Sequence, residues 1–178
     1  MNKFELTSDF KINIFGKKVF RIKALISFGI VRAGDIGGWI EKEANLDQSG
    51  NAWVFGNAEV SGDARVSGNA WVSGNAEVSG DARVSGNAWV SGNAEVSGNA
   101  WVFGNADYTT IKGFGSCFRT TTFFRCKDKL VRVVCGCFYG TIEEFRQKVR
   151  TTHGETKLAV EYLKIADLME YHFSEEVR

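Results

Sequence analysis

Between residues 50 and 106 the chain repeats one six-residue phrase, Gly-Asn/Asp-Ala-x-Val-Ser/Phe, nine times over. The variable slot reads Trp53, Glu59, Arg65, Trp71, Glu77, Arg83, Trp89, Glu95, Trp101, so the true period is eighteen residues, broken only where Trp101 stands for an Arg. A short fixed period marks a stacked solenoid rather than a globular core. Three six-residue segments per period predict a triangular coil. Its outward side chains then pile into a Trp column, a Glu column and a mostly Arg column.

Within Ala-x-Val, the two-residue period of an extended chain places Ala and Val inside and the variable residue outside. Small Ala suits a narrow axis where three sides converge, and β-branched Val fills the rest. Gly followed by Asn or Asp supplies the positive φ of a sharp corner. The chain contains no proline, which agrees with a ladder that uses every backbone N–H. Counting back in sixes from Ala52 reaches Leu46 and Ile40, so degenerate hexads are expected from Gly38. Hexads over residues 38–109 make about four coils, a stack about 19 Å tall at the ~4.8 Å spacing of adjacent strands.

The flanks read differently. KINIF and VFRIKAL alternate around Phe15-Gly16-Lys17-Lys18 and predict a β-hairpin within residues 1–37. Beyond Thr109, TTTFFRC and LVRVVCGCF flank Lys127-Asp128-Lys129 as a second hairpin. Thr141-Ile142-Glu143-Glu144 is a capping box that opens a helix closed by Gly154, and Leu158, Tyr162, Ile165 and Met169 mark a second helix. The expected fold is mainly β: an N-terminal hairpin cap (1–37), a parallel β-helix (38–109) and a C-terminal ββαα cap (110–178). A cap is needed because the end of a coil stack is an open sheet edge.

The phrase, its corners and its period together resemble the hexapeptide-repeat left-handed parallel β-helix. The opening FGKKVFRIKAL…GDIGGWIEKEANLDQSGNAWV and the tail TTTFFRCKD…CGCFYGTIEEFRQKVRTTHG are similar to hexapeptide-repeat proteins common in bacteriophage and prophage genomes, a family of largely unassigned function. The resemblance implies a phage protein working in the cytoplasm of a bacterial host, with inhibition of host defence as a role. The chain departs from that family's pattern twice. Cys117 follows Gly115-Ser116 where the family carries Arg, and Lys129 follows Lys127-Asp128 where it carries Gly. An anion-gripping role for the missing Arg would pass to Arg119.

The net charge of +1 argues against a generic polyanion binder and so against nucleic acid, yet residues 111–150 carry nine basic and three acidic groups. No apolar run of membrane-spanning length occurs and the N-terminal sequence lacks an apolar signal core, so a cytosolic protein with reduced cysteines is expected. Within the basic segment, Ser116, Arg119, Thr120, Thr121 and Thr122 suit phosphate oxygens beside flexible Gly113 and Gly115. Cys135 and Cys137, read as sharing one side of a strand, and His153 at a helix end complete the candidate ligand-binding set. No metal site and no cofactor are expected.

Hexapeptide-repeat acyltransferases imply a catalytic His at the groove between subunits, but His153 and His172 both lie outside the repeat. The reading is therefore a non-enzymatic phage-type scaffold that forms a dimer or trimer and binds a host protein or a nucleotide-like anion. A diverged acyltransferase using His153 and a virion structural protein are the alternatives. Candidate interface residues are the outward columns: Trp53, Trp71, Trp89 and Trp101; Glu59, Glu77 and Glu95; Arg65 and Arg83. A bare Trp strip is more apolar surface than a monomer tolerates, so it is expected under a terminal module or against a second subunit. Stacked Glu side chains repel one another, and the Arg face of a neighbouring copy is their expected partner.

Overall fold

A computed structural model describes residues 2–174. Strands β1 (Phe4–Ile12) and β2 (Lys18–Ala24) form the antiparallel hairpin, and β3 (Ile36–Ile40) leads into the first coil. Each variable residue then forms a two-residue strand with its Val: β4 (Trp53–Val54), β5 (Glu59–Val60), β6 (Arg65–Val66), β7 (Trp71–Val72), β8 (Glu77–Val78), β9 (Arg83–Val84), β10 (Trp89–Val90), β11 (Glu95–Val96) and β12 (Trp101–Val102). These strands pair in parallel and in register as three faces, β4–β7–β10, β6–β9–β12 and β3–β5–β8–β11, the last continued by β2 and β1. The result is a β-solenoid of about four turns, with one column of Trp, one of Glu and one of Arg ending in Trp101.

The phrase explains the coil. Every repeat Ala from Ala52 to Ala100 and every Val from Val54 to Val102 is at most 1% exposed. The Glu59 N–H donates to the Ala76 carbonyl at 2.9 Å and the Ser61 N–H to that of Val78 at 3.0 Å, so each coil donates to the next. At the corners, Gly74 has φ +70° and an added Cβ would meet the Gly92 carbonyl oxygen at 2.9 Å, so both conformation and the neighbouring coil demand glycine. Asn fills the following slot because it builds a ladder of its own: Asn51 Nδ2 donates to Asn69 Oδ1 at 3.0 Å, and Asn69 Nδ2 to Asn87 Oδ1 at 3.2 Å.

The first coil departs from counting in sixes. Ile40 lies opposite Val60 and Leu46 opposite Val66, twenty residues on, so they fill Val slots rather than the Ala slots expected. Two extra residues precede Ala52. The extra pair falls between Asp47 and Asn51, whose N–H groups donate to the carbonyls of Val66 and Gly68. Just before it Asn45, fully buried in a 3-10 turn (Glu43–Asn45), donates its amide to the Gly62 and Ala64 carbonyls at 3.0 and 2.8 Å. One side chain there replaces the missing backbone donors.

The direction of the ladder dictates its two ends. At the start, carbonyls are left over, and Lys3 Nζ donates to Ser49 and Ala52 at 3.2 and 3.0 Å while Arg21 donates to Gly37 and Gly56 at 2.8 and 2.6 Å. At the finish, N–H groups are left over, and acceptors serve them. Asn105 Oδ1 takes the Trp89 N–H at 2.8 Å, Thr122 Oγ1 that of Glu95 at 3.0 Å, and Asp107 Oδ2 that of Phe103 at 2.9 Å. Asp107 stands where the eighteen-residue code calls for Trp.

The C-terminal module is ββββαα rather than ββαα. Strands β13 (Tyr108–Phe114), β14 (Arg119–Arg125), β15 (Val131–Cys135) and β16 (Phe138–Thr141) form an antiparallel sheet in chain order, followed by α1 (Ile142–His153) and α2 (Lys157–His172). β13 is hidden in the sequence by its Gly-interrupted composition, and β16 because CGCF continues an apolar run through a turn at Gly136–Cys137. Alternation divides the sheet. Phe124, Cys126 and Val134 seal the last coil, while Phe123 and Val133 pack on Ile142, Phe145, Val149, Ile165 and Met169. Thr141 and Glu144 form the expected capping box, with Glu144 N–H to Thr141 Oγ1 at 3.2 Å and Thr141 N–H to Glu144 Oε2 at 2.7 Å. Arg146, 8% exposed, fastens α1 to Asp167 and Glu170 of α2 at 2.8 and 2.7 Å. Among the described residues no helix is long and apolar enough to cross a membrane.

Candidate functional site

The sheet and helices of the cap line an open cavity of about 650 Å³. The β13–β14 turn brings Ser116 and Cys117 to it, β14 brings Arg119, β15 brings Cys135, and the following turn and β16 bring Cys137, Phe138 and Tyr139. Helix α1 adds Phe145, Lys148, Val149, Thr152 and His153, which share one helical face, and α2 adds Tyr162. Five residues singled out in the sequence, Ser116, Arg119, Cys135, Cys137 and His153, thus meet across a gap that local sequence does not reveal. Lys148, Thr152 and Tyr162 were missed. Tyr162 stands at helical spacing from Ile165, and Lys148 and Thr152 flank Val149 on the face of Phe145, which is the signal that could place them at the cavity.

The Thr run splits up. Thr120 lines a separate recess with Lys112, Arg119 and Glu95. Thr121 is buried, with its hydroxyl donating to Cys135 Sγ at 3.2 Å. Thr122, on the opposite face, is the acceptor for Glu95 described above. Strand alternation turns Thr122 toward the coils, while Thr121 shares the face of Arg119 and Phe123 but lies buried behind Cys135, outside the cavity's lining.

The cysteines also separate. Because the chain turns at Gly136–Cys137, Cys135 and Cys137 do not share one side of a strand: Cys135 is half-buried at the end of β15 and Cys137 is exposed in the turn. Cys126 faces the solenoid core, where burial pushes its thiol up to about 11. Among the described residues no three His, Cys, Asp or Glu side chains converge to hold a metal ion.

The cavity is basic and aromatic. Arg119 and Lys148 supply cationic groups, and none of the described residues that line it is acidic. The His153 ring stacks on Tyr162, with centroids 5.9 Å apart and planes 25° from parallel. Burial, followed by the neighbouring Cys135 and Cys117, pushes the Tyr162 hydroxyl up to about 12, so it remains a proton donor at neutral pH. Gly115 makes room for it, since a Cβ there would lie 1.8 Å from the Tyr162 oxygen. Arg, Lys, hydroxyls and stacked rings together can hold an oxyanion at one end and a flat group at the other.

The outward columns have graded surroundings. Trp53 is 1% exposed beneath the edges of Phe4 and Phe28 (6.3 and 5.4 Å), Trp71 is half-buried against Phe55, and Trp89 is 51% exposed. The start of the Trp column is thus covered by this chain's own N-terminal module. Glu59 forms an ion pair with Lys11 of β1, so a charge expected from a neighbouring copy comes from the same chain. The half-buried Glu77 carboxyl is raised, chiefly by burial and then by Glu59 and Glu95 above and below it. Arg65 and Arg83 stand in register on the third face beside Trp101.

A family profile described as the YdcK beta solenoid repeat matches residues 58–74 and 76–92, both inside the coils. Over 54 residues the chain is 41% identical to the uncharacterized acetyltransferase YdcK of Escherichia coli (strain K12), a match covering 26% of this chain and 17% of that protein. What the two share is a β-solenoid repeat, and the chain spans less than a fifth of the relative's length. The profile match stops short of the cap and of every residue that lines its cavity.

Proposed function

We propose that this chain is a non-catalytic β-solenoid scaffold whose C-terminal cap binds a small anionic ligand of nucleotide-like chemistry. The observation that carries this reading is the cavity that joins Arg119 and Lys148 to the Tyr162–His153 stack with no carboxylate in its lining. A phosphate on the cations and a base against the rings use each of these groups. The solenoid supplies a rigid base, which favours precision at the cap. A left-handed winding, a phage origin and a role in sequestering a host nucleotide signal extend the proposal, supported by the hexad phrase and the likeness of both flanks to phage proteins. Side-by-side assembly through exposed Trp89 belongs to the same proposal.

Acetyl transfer is the rival reading, raised by the name of the Escherichia coli protein and by His153 lining the cavity. Thermal shift of the full chain against nucleotides and acetyl-CoA separates the two. A ligand at 100 times its Kd stabilises the folded state by about 2.7 kcal/mol. A nucleotide shift that Lys148→Ala abolishes supports the scaffold reading. Turnover of acetyl-CoA that His153→Ala abolishes supports the rival.

A further inference from the structure

We infer that the Arg face of the solenoid holds a second ligand site, selective for an aromatic oxyanion such as an aryl phosphate or aryl carboxylate. A groove of about 700 Å³ runs along this face from the first coil to the last. Its rungs follow the stacking axis in a fixed order: the turn bearing Glu43, Asp47 and Gln48, then Arg65, then Arg83, then Trp101 with Phe103. Successive rungs are ~4.8 Å apart, so the groove is about 14 Å long.

Three observations point to a ligand. Arg65 and Arg83 enter no ion pair among the described residues, although they stack one above the other and repel. An oxyanion spanning both guanidinium groups removes that repulsion with charge-assisted hydrogen bonds. Of the few buried polar side-chain atoms without a partner among the described residues, two belong to residues lining this groove, Gln48 Nε2 and Ser85 Oγ. Unpartnered buried polar atoms are rare and call for a missing partner. Trp101 and Phe103, 36% and 49% exposed with centroids 5.0 Å apart, form an apolar wall one rung beyond Arg83.

The order of the rungs sets the orientation. Glu43 and Asp47 repel an anion from the first-coil end, so the oxyanion sits on Arg65 and Arg83 and the ring lies against Trp101. This site is on a different module from the cap cavity and does not depend on it. It also assigns a purpose to the break in the eighteen-residue code: an Arg at position 101 would extend the cationic ladder but remove the wall.

The test uses calorimetric titration of the full chain with phenyl phosphate and with inorganic phosphate. The repeat itself supplies the replacement, since its outward slot carries Glu at positions 59, 77 and 95 of the same coils. Arg65→Glu/Arg83→Glu is expected to weaken phenyl phosphate binding by at least about tenfold, the loss of charge-assisted contacts. Trp101→Ala is expected to lower the affinity for phenyl phosphate to that for inorganic phosphate, all titrations being made in a Lys148→Ala background so that a phosphate held by the cap does not contribute. Circular dichroism checks that each variant keeps its coils. Absence of phenyl phosphate binding to the Lys148→Ala parent, or affinity unchanged in the folded Arg variant or in Trp101→Ala, overturns the inference.

Discussion

The ammonium group of Lys3 donates to the Ala52 carbonyl at 3.0 Å beneath the first coil, and the side chain is only 1% exposed. At the opposite end Thr122 Oγ1 accepts the Glu95 N–H at 3.0 Å. The two contacts are complementary halves of one requirement. A ladder in which every N–H points toward the next coil leaves carbonyls at its start and N–H groups at its finish, so donors belong at one end and acceptors at the other.

Burial holds the Lys3 ammonium down to about 8, partly offset by Asp47. Between that value and the ordinary 10.5 the unfolded chain binds more protons than the folded one, so this residue makes stability rise with pH across that window. Below it the cost of the buried charge is present in full. Urea denaturation at pH 7.5 and 9.5 is expected to show a larger gain for the wild type than for Lys3→Met, the difference isolating this group from tyrosines and thiols. An equal gain in both proteins would contradict the assignment.

Thr122→Val keeps the shape of a side chain that is 1% exposed but leaves the Glu95 N–H without its acceptor. The expected loss is about 1–3 kcal/mol of unfolding free energy, the cost of an unsatisfied buried donor. Thr120→Val, in the exposed recess, is expected to cost less than about 0.5 kcal/mol. Equal losses for the two variants would show that the N–H edge needs no side-chain cap.

Lys129 has φ +65°, a left-handed conformation that glycine adopts without penalty. Its own N–H closes the turn onto the Cys126 carbonyl at 2.9 Å, so the conformation is enforced by the hairpin. Lys129→Gly is expected to stabilise the chain by about 0.5–1 kcal/mol, the relief of strain exceeding the added freedom of the unfolded chain. Differential scanning calorimetry reads this as a higher Tm, and a lower one would refute it.

Glu77 lies between Glu59 and Glu95, and the ion pair with Lys11 reaches only Glu59. Glu77→Gln removes the middle charge and is expected to stabilise by about 0.5 kcal/mol at neutral pH, a small figure because the group is partly solvated. The gain should vanish below pH 4, where the carboxyl is protonated in both states.

The solenoid was legible because every hexad states the same instruction: Ala and Val at fixed parity, Gly at the corner, and an outward residue returning every eighteen. Its limits appeared where one side chain does a backbone's task. Asn45 stands in for backbone donors in a 3-10 turn, next to a two-residue insertion that counting in sixes cannot detect. Thr122 reads as one of three phosphate-seeking hydroxyls until strand parity turns it toward the coils. The cap cavity was half legible. Ser116, Arg119, Cys135, Cys137 and His153 were visible as chemistry, but the turn at Gly136–Cys137 and the partners Lys148 and Tyr162 arise from tertiary packing of α1 and α2 on the sheet.

The central claim is that the cap cavity is a site for a nucleotide-like anion. A crystal structure of the full chain grown with ATP tests it most directly. The account predicts phosphate density against Arg119 and Lys148 with the base beside Tyr162 and His153. An empty cap cavity at saturating ATP, or phosphates bound only elsewhere on the chain, would contradict it.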